Sequence, residues 1–374
     1  MKSIIVRAPN WIGDQILAYP FFHFLRRAYP RARITSVCVG WTESLQFRNL
    51  IDDVIVIEKP LIPGIKGKYA ALEASKLEIQ KKAAKHGAFE MGIILPNSFS
   101  SAFLFWKAGV KNRIGYAGDG RSLFLNEALP FKPELIGHRS EAYVGLLPEL
   151  ARPPTQFRTT EFWGVPPEAG KEDLDPGVPS LVQFHPQKAW PEGTKEAETL
   201  RFPVDLNSPY WVLAPGSTAE SRRWPIENFA NLAKQVVRAT GLPGVIVGGI
   251  SEVMIGEKLS QDRELKLKDF TGKGSVASLW PLFRNAKFMV SNDSGLAHVA
   301  SLCGTKVQIV WGAGDPKRTE PLGPGRVRVL FNPVDCWPCE KNSCSQAPTA
   351  KLACIRGIQS EEVWEEMKRG LGIS

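Results

Sequence analysis

Apolar segments of strand length recur along this chain with helical stretches between them, stop, and then begin again. In the first half, strands are expected around Ile4 and over Ile34 to Val39, Val54 to Ile57 and Met91 to Leu95, with helices over Ala70 to Lys85 and Ala142 to Leu150. The second half restarts with strands over Tyr210 to Ala214, Gly244 to Gly249, Phe288 to Ser291 and Val307 to Trp311. Helices are expected there over Ile226 to Arg238, Glu252 to Gln261, Val276 to Asn285 and Leu296 to Leu302. Strands alternating with helices read as βαβ units, whose strands run parallel. Between the halves, Ala151 to Pro209 holds ten prolines and few periodic runs, which marks a connection. The expectation is an α/β chain with two Rossmann-like halves and a cleft between them. Its 374 residues also exceed what one ordinary core organises.

Lysine and arginine outnumber the acids to give a net charge of +9, which favours anionic partners: nucleic acid, phosphorylated metabolites or an anionic membrane surface. No secretion leader is expected, because Arg7 and Asp14 interrupt the first apolar run. The uncharged stretch from Met91 to Trp106 is broken by Pro96, Asn97 and serines and is too short for a bilayer span. Cys38 and Cys303 lie in apolar surroundings and read as core. Cys336, Cys339, Cys344 and Cys354 are spaced C-x2-C-x4-C-x9-C. That spacing suits either a closed zinc or iron-sulfur site, or thiols and disulfides packing a loop.

Chemistry is expected where strands give way to helices. Gly13-Asp14 follows the first strand and opens a helix, so Asp14 reads either as a helix cap or as a carboxylate at a ligand-gathering junction. Pro215-Gly216-Ser217-Thr218 follows a second-half strand, with Arg222 and Arg223 next in line. There Gly216 would expose backbone amides, the hydroxyls would donate to phosphate oxygens, and Arg222 would neutralise a diphosphate; the alternative is a solvated turn. Asn292-Asp293-Ser294-Gly295-Leu296-Ala297-His298 offers the amides of Ser294, Gly295 and Leu296 to an anion at a helix start. Asp293 fits beside such an anion if it accepts sugar hydroxyls, and otherwise caps the helix. His298 lies near the same anion or is a satisfied buried histidine. Glu252, after Gly248-Gly249, is placed to accept ribose hydroxyls. Neither a GxxxxGK[ST] loop nor a GxSxG elbow is present, so P-loop hydrolysis and esterase chemistry lose support.

Taken in order, Asn10-Trp11-Ile12-Gly13-Asp14, the stretch from Leu95 to Ala102, Pro215-Gly216-Ser217 with Arg223-Trp224-Pro225, and the stretch from Asn292 to His298 resemble bacterial ADP-heptose:lipopolysaccharide heptosyltransferases (glycosyltransferase family 9), closest to the heptosyltransferase II type. The resemblance covers nearly the whole chain outside the proline-rich middle. It implies GT-B architecture, two Rossmann-like domains with parallel sheets facing across a cleft. The N-terminal domain, 1–200 with the connection, would hold the acceptor, and 201–357 the ADP-sugar. A last helix in 358–374 would pack back on the first domain.

The same resemblance implies an inverting transferase with Asp14 as general base and no obligatory metal or cofactor. ADP-heptose is then a co-substrate, and a metal at the four late cysteines is an option only. Ser217, Thr218, Arg222, Glu252, Asp293, Ser294, Gly295, Leu296 and His298 become donor-side residues. Asn97, Ser98, Arg113 and Arg121 fall on the side of a Kdo-containing lipid A acceptor. Ser100 stands where related sequences often carry lysine, so acceptor contacts are expected to differ. The positive charge then suits a cytoplasmic enzyme in peripheral contact with the anionic inner membrane rather than nucleic acid. The alternatives are a relative using another sugar nucleotide or acceptor, a sugar-nucleotide 2-epimerase, and a non-catalytic ADP-sugar or nucleic-acid-binding protein.

Overall fold

Twelve strands form two six-stranded parallel sheets in a computed structural model that describes residues 2–57, 64–132, 137–153 and 184–373. The first sheet contains β1 (Ser3–Arg7), β2 (Arg33–Val39), β3 (Asp53–Ile57), β4 (Met91–Ile94), β5 (Asn112–Tyr116) and β6 (Glu127–Leu129), in the order β3-β2-β1-β4-β5-β6. The second contains β7 (Trp211–Ala214), β8 (Gly244–Ile246), β9 (Leu267–Asp269), β10 (Met289–Asn292), β11 (Val307–Trp311) and β12 (Val327–Phe331), in the order β12-β11-β10-β7-β8-β9. Each order reverses direction once, between β1 and β4 in the first sheet and between β7 and β10 in the second. At such a reversal neighbouring connections leave toward opposite faces and open a crevice at the strands' carboxyl ends.

The chain divides into two compact units, Met1–Phe162 with Gln187–Pro191, and Trp163–Pro186 with Glu192–Ser374. In the first, Ile5, Val37, Ile55 and Ile94 from the sheet pack with Ala102, Phe105 and Ile79 from covering helices. In the second, Trp211 lies parallel to Phe288 with ring centres 5.7 Å apart, and helix Ile226–Thr240 buries Phe229, Leu232, Ala233 and Val236. Each such large side chain contributes about 1.5–3 kcal/mol by leaving water.

All eight expected strands are present, and β5, β6, β9 and β12 are additional. The helix expected over Ala142 to Leu150 begins earlier, as Arg139–Gly145, because His138 caps it with Glu141 closing a capping box. The final helix, Ser360–Leu371, places Val363, Met367 and Leu371 in the core of the second unit, and the Trp224 indole donates to the Ile358 carbonyl at 2.8 Å. No helix among the described residues is long and apolar enough to cross a membrane.

Candidate functional site

In the first unit, the junction after β1 is built on a buried arginine. Arg7 donates from Nη1 to the carbonyls of Ala8 (2.6 Å) and Val37 (3.1 Å), and from Nη2 to Asn10 Oδ1 (2.5 Å). Burial lowers its pKa to about 10, which leaves it a cation at neutral pH. The Trp41 indole donates to the Asn10 carbonyl at 2.6 Å, so the turn entering helix Ile12–Leu17 is held from two sides. Trp11, not Asp14, occupies the N-cap, and no side chain caps the helix. The capping reading of Asp14 is therefore corrected: its carboxylate sits in the first turn, and its backbone carbonyl accepts from Ala18.

Helix Arg139–Gly145 reaches that carboxylate. Ser140 Oγ donates to the Leu17 carbonyl at 2.7 Å and locks the two helices together. Arg139 Nη1 then lies 4.0 Å from Asp14 Oδ1, and the buried Tyr143 phenol hydrogen-bonds with Asp14. Burial, then the Asp14 charge, raises the Tyr143 pKa well above its ordinary value.

Asn97 and Ser98 follow β4, the strand next to β1, so they share its sheet edge with Asp14. Both are exposed, and Ser98 caps helix Phe99–Lys107. Arg121 follows β5 on the same edge but is fully buried, donating to the Pro96 carbonyl (2.7 Å) and Asn97 Oδ1 (3.3 Å). It supports the Pro96-Asn97 loop from beneath. Arg113 is not brought there: it lies at the amino end of β5 and bonds the carbonyls of Phe124, Val110 and Lys111.

In the second unit, the expected donor residues converge after β7, β8 and β10. Ser217 Oγ donates to the Asp293 carbonyl at 3.2 Å, and Arg222 Nη1 pairs with Asp293 Oδ2 at 3.2 Å. Glu252 crosses from β8 to lie against Gly216, where a Cβ would come within 2.5 Å of its Cγ, so a larger residue there would displace the Glu252 side chain. The two Glu252 oxygens accept from Gly249 N and Ser251 Oγ, both at 2.7 Å. Thr218 is exposed, and Arg223 grips the loop through the carbonyls of Ser217 (2.6 Å) and Thr218 (3.3 Å). Helix Gly295–Leu302 starts at Ser294, with Ser294, Gly295 and Leu296 partly exposed and His298 buried one turn in. Its first amides have no acceptor within the helix, which makes this end suitable for an anion.

Several residues here were not singled out by sequence. Arg7, Arg139 and Tyr143 frame Asp14. Asn292, fully buried, donates to the Pro215 carbonyl at 2.6 Å and accepts from Trp224 N at 3.0 Å, so one amide ties the β10 and β7 junctions. Ile250 and Met254 are apolar yet 85% and 82% exposed on either side of Glu252, and apolar residues flanking a junction carboxylate were the only available signal. The late cysteines are all free thiols, and no group of three His, Cys, Asp or Glu among the described residues is arranged to hold a metal. Cys344 Sγ instead accepts from Leu352 N at 3.3 Å, and this bond and a second from Gln346 lower its pKa.

Residues 80–350 match the family model of glycosyltransferase family 9 (heptosyltransferase). Lipopolysaccharide heptosyltransferase 2 of Escherichia coli K12 is 26% identical over 339 residues, covering 88% of this chain and 87% of that protein. Lipooligosaccharide heptosyltransferase 2 of Haemophilus influenzae is 25% identical, covering 86% of each. The solved structure of E. coli ADP-heptose LPS heptosyltransferase II superposes with a TM-score of 0.72 at 20% identity, covering 99% of this chain and 98% of that one. The two parallel sheets match the GT-B fold of that structure.

Proposed function

The chain belongs to glycosyltransferase family 9, the heptosyltransferases, and from that membership we propose that it transfers L-glycero-D-manno-heptose from ADP-heptose to heptosyl-Kdo2-lipid A of the lipopolysaccharide inner core, inverting the anomeric centre. The observation that carries this reading is the convergence of Ser217, Arg222, Glu252, Asp293 and an open helix start on the carboxyl ends of β7, β8 and β10. Two relatives named as heptosyltransferases 2 support the same acceptor class.

In the proposed reaction the acceptor hydroxyl attacks the heptose anomeric carbon as the bond to the ADP oxygen breaks, and Asp14 takes the hydroxyl proton. Tyr143 and Arg139 favour the ionised, proton-accepting form of Asp14. Charge growing on the departing diphosphate meets the Gly295 and Leu296 amides, the Thr218 hydroxyl and Arg222. Ser217 orders this loop through its bond to Asp293, which also faces the sugar. Glu252 holds the ribose, with Ile250 and Met254 beside it as apolar cover for a nucleobase. His298 supports the helix start from within. Asn97 and Ser98 contact the acceptor, with Arg121 positioning them. No step requires a metal. The work is placed on the cytoplasmic side, in peripheral contact with the anionic membrane carrying the acceptor.

Purified protein offered a panel of ADP- and UDP-sugars with Kdo-containing acceptors tests this reading. ADP release with ADP-heptose and a heptosyl-Kdo2 acceptor is expected. Absence of turnover with every such acceptor would refute it.

A further inference from the structure

Helix Phe99–Lys107 is apolar on both faces. Ala102, Leu104 and Phe105 enter the core of the first unit. Phe99, Phe103 and Trp106, at the i, i+4, i+7 spacing of a single stripe, face the other way. Phe99 and Phe103 stack at 5.9 Å, Phe103 and Trp106 at 5.6 Å, and Phe124, from the turn Arg121–Phe124 after β5 and itself packed partly on the core, meets Phe99 edge-on at 5.2 Å. Leu123 beside it is 84% exposed, and Trp106 48%. Ordered rings held at the surface, with no covering segment among the described residues, are uncommon in a protein that meets only water.

Charge chooses the occupant. The helix carries no acidic residue. Lys107 Nζ lies over the Tyr69 ring at 4.6 Å and within 5.8 Å of the Phe103 ring centre while paired with Glu73, and Lys68 and Lys111 are exposed on the adjoining segments as the cations next to the rings. Helix Gly64–His86, which packs alongside, holds six lysines against two glutamates; Lys76 pairs with Glu73, Lys81 with Glu78 and Lys82 with Asp53, and the remaining lysines leave a positive excess. Aromatic rings rimmed by ammonium groups match the interface of an anionic bilayer, where rings settle at headgroup level and lysines meet lipid phosphates. The stripe is also continuous with the candidate acceptor site, because its first residue, Phe99, follows Asn97 and Ser98 directly.

We propose that Phe99, Phe103, Trp106, Leu123 and Phe124 form a docking surface for an anionic lipid bilayer, which sets the Asn97 end of the helix against the membrane. This rests on the lipid-borne acceptor proposed above and adds the surface that meets the lipid. Because one helix carries both the ring stripe and the Asn97-Ser98 turn, docking brings the sugars nearest the bilayer to that turn.

Co-sedimentation of the full chain with phosphatidylcholine vesicles, with and without phosphatidylglycerol, reads this directly and needs no sugar nucleotide. The wild-type chain is expected to bind the anionic vesicles, and Trp106→Ser/Leu123→Ser to bind about tenfold more weakly through lost apolar insertion. The single Leu123→Ser change, at the more exposed position, should give a smaller loss in the same direction. Transfer to a soluble, deacylated acceptor should be the same in wild type and both variants. Equal vesicle binding by wild type and double variant, or no binding by wild type, would overturn the docking surface. So would a wild-type dimer that the double variant dissolves while vesicle binding persists. Loss of transfer to the soluble acceptor by the wild type itself would strike the heptosyltransferase reading instead.

Discussion

The Tyr143 phenol hydrogen-bonds with the Asp14 carboxylate, and the two come from helices that Ser140 ties together. The raised Tyr143 pKa keeps that phenol protonated, so it remains a donor toward the Asp14 carboxylate throughout the neutral range. A donor to the charged form lowers a carboxylate's pKa. Tyr143→Phe is therefore expected to move the acid limb of the kcat/KM profile to higher pH while KM for the sugar nucleotide stays put. Asp14→Asn should reduce turnover by about 10²–10⁴ with ADP affinity retained. A limb that does not move in Tyr143→Phe would separate the phenol from the proposed base.

Gly216→Ala places a Cβ 2.5 Å from Glu252 Cγ and 2.8 Å from its Cδ. The carboxylate must swing away and lose its bonds to Gly249 N and Ser251 Oγ. KM for the donor should rise about tenfold, equivalent to about 1.4 kcal/mol, with acceptor KM unchanged. Steady-state kinetics with each substrate varied in turn checks this split.

The elements legible in sequence are those with continuous apolar runs. β1, β4, β7 and β10 are buried along their whole length and read plainly as strands. β6, β9 and β12 are sheet edges; β6 is largely exposed, and Lys268 and Arg328 interrupt the others, so their patterns never become apolar. The candidate residues after β7, β8 and β10 were readable because each lies at a glycine-bearing junction. Tyr143 and Arg139 were not, since they reach Asp14 from more than a hundred residues away. The place of Arg113 near the amino end of β5 is not legible either, because closeness in sequence to Asn97 does not tell which end of a strand a residue occupies.

Asn292 joins the β7 and β10 junctions through both ends of its side-chain amide. Asn292→Ala leaves the Pro215 carbonyl and the Trp224 amide buried and unpaired, at an expected cost of about 2–4 kcal/mol. The urea midpoint should fall, and donor affinity should weaken with it. Asn292→Asp keeps the acceptor for Trp224 N but not the donor to Pro215, so its midpoint should lie between the two.

Glu73 gives a pH signature. Hydrogen bonds from Lys107 and then Lys76 hold its carboxyl at about 2, against 4.5 ordinarily. A depressed carboxyl contributes stability that is complete above 4.5 and disappears as pH falls through about 2. Glu73→Gln should flatten the acid-unfolding curve across that interval. Added salt should shrink the difference, because the pair is partly exposed to solvent. Acid titration followed by circular dichroism at two ionic strengths reads both effects.

Arg121 separates support of a loop from support of the fold. Its Nη1 bonds the Pro96 carbonyl and Asn97, whereas Nε and Nη2 are buried without a partner. An incompletely paired buried cation adds little net stability, so Arg121→Met should shift the unfolding free energy by no more than about 1 kcal/mol. The Pro96-Asn97 turn nevertheless loses its anchor. Acceptor KM is expected to rise about tenfold, the equivalent of one hydrogen bond to a charged group, while donor KM holds. A large fall in melting temperature with unchanged acceptor KM would make Arg121 a core residue and remove it from the acceptor side.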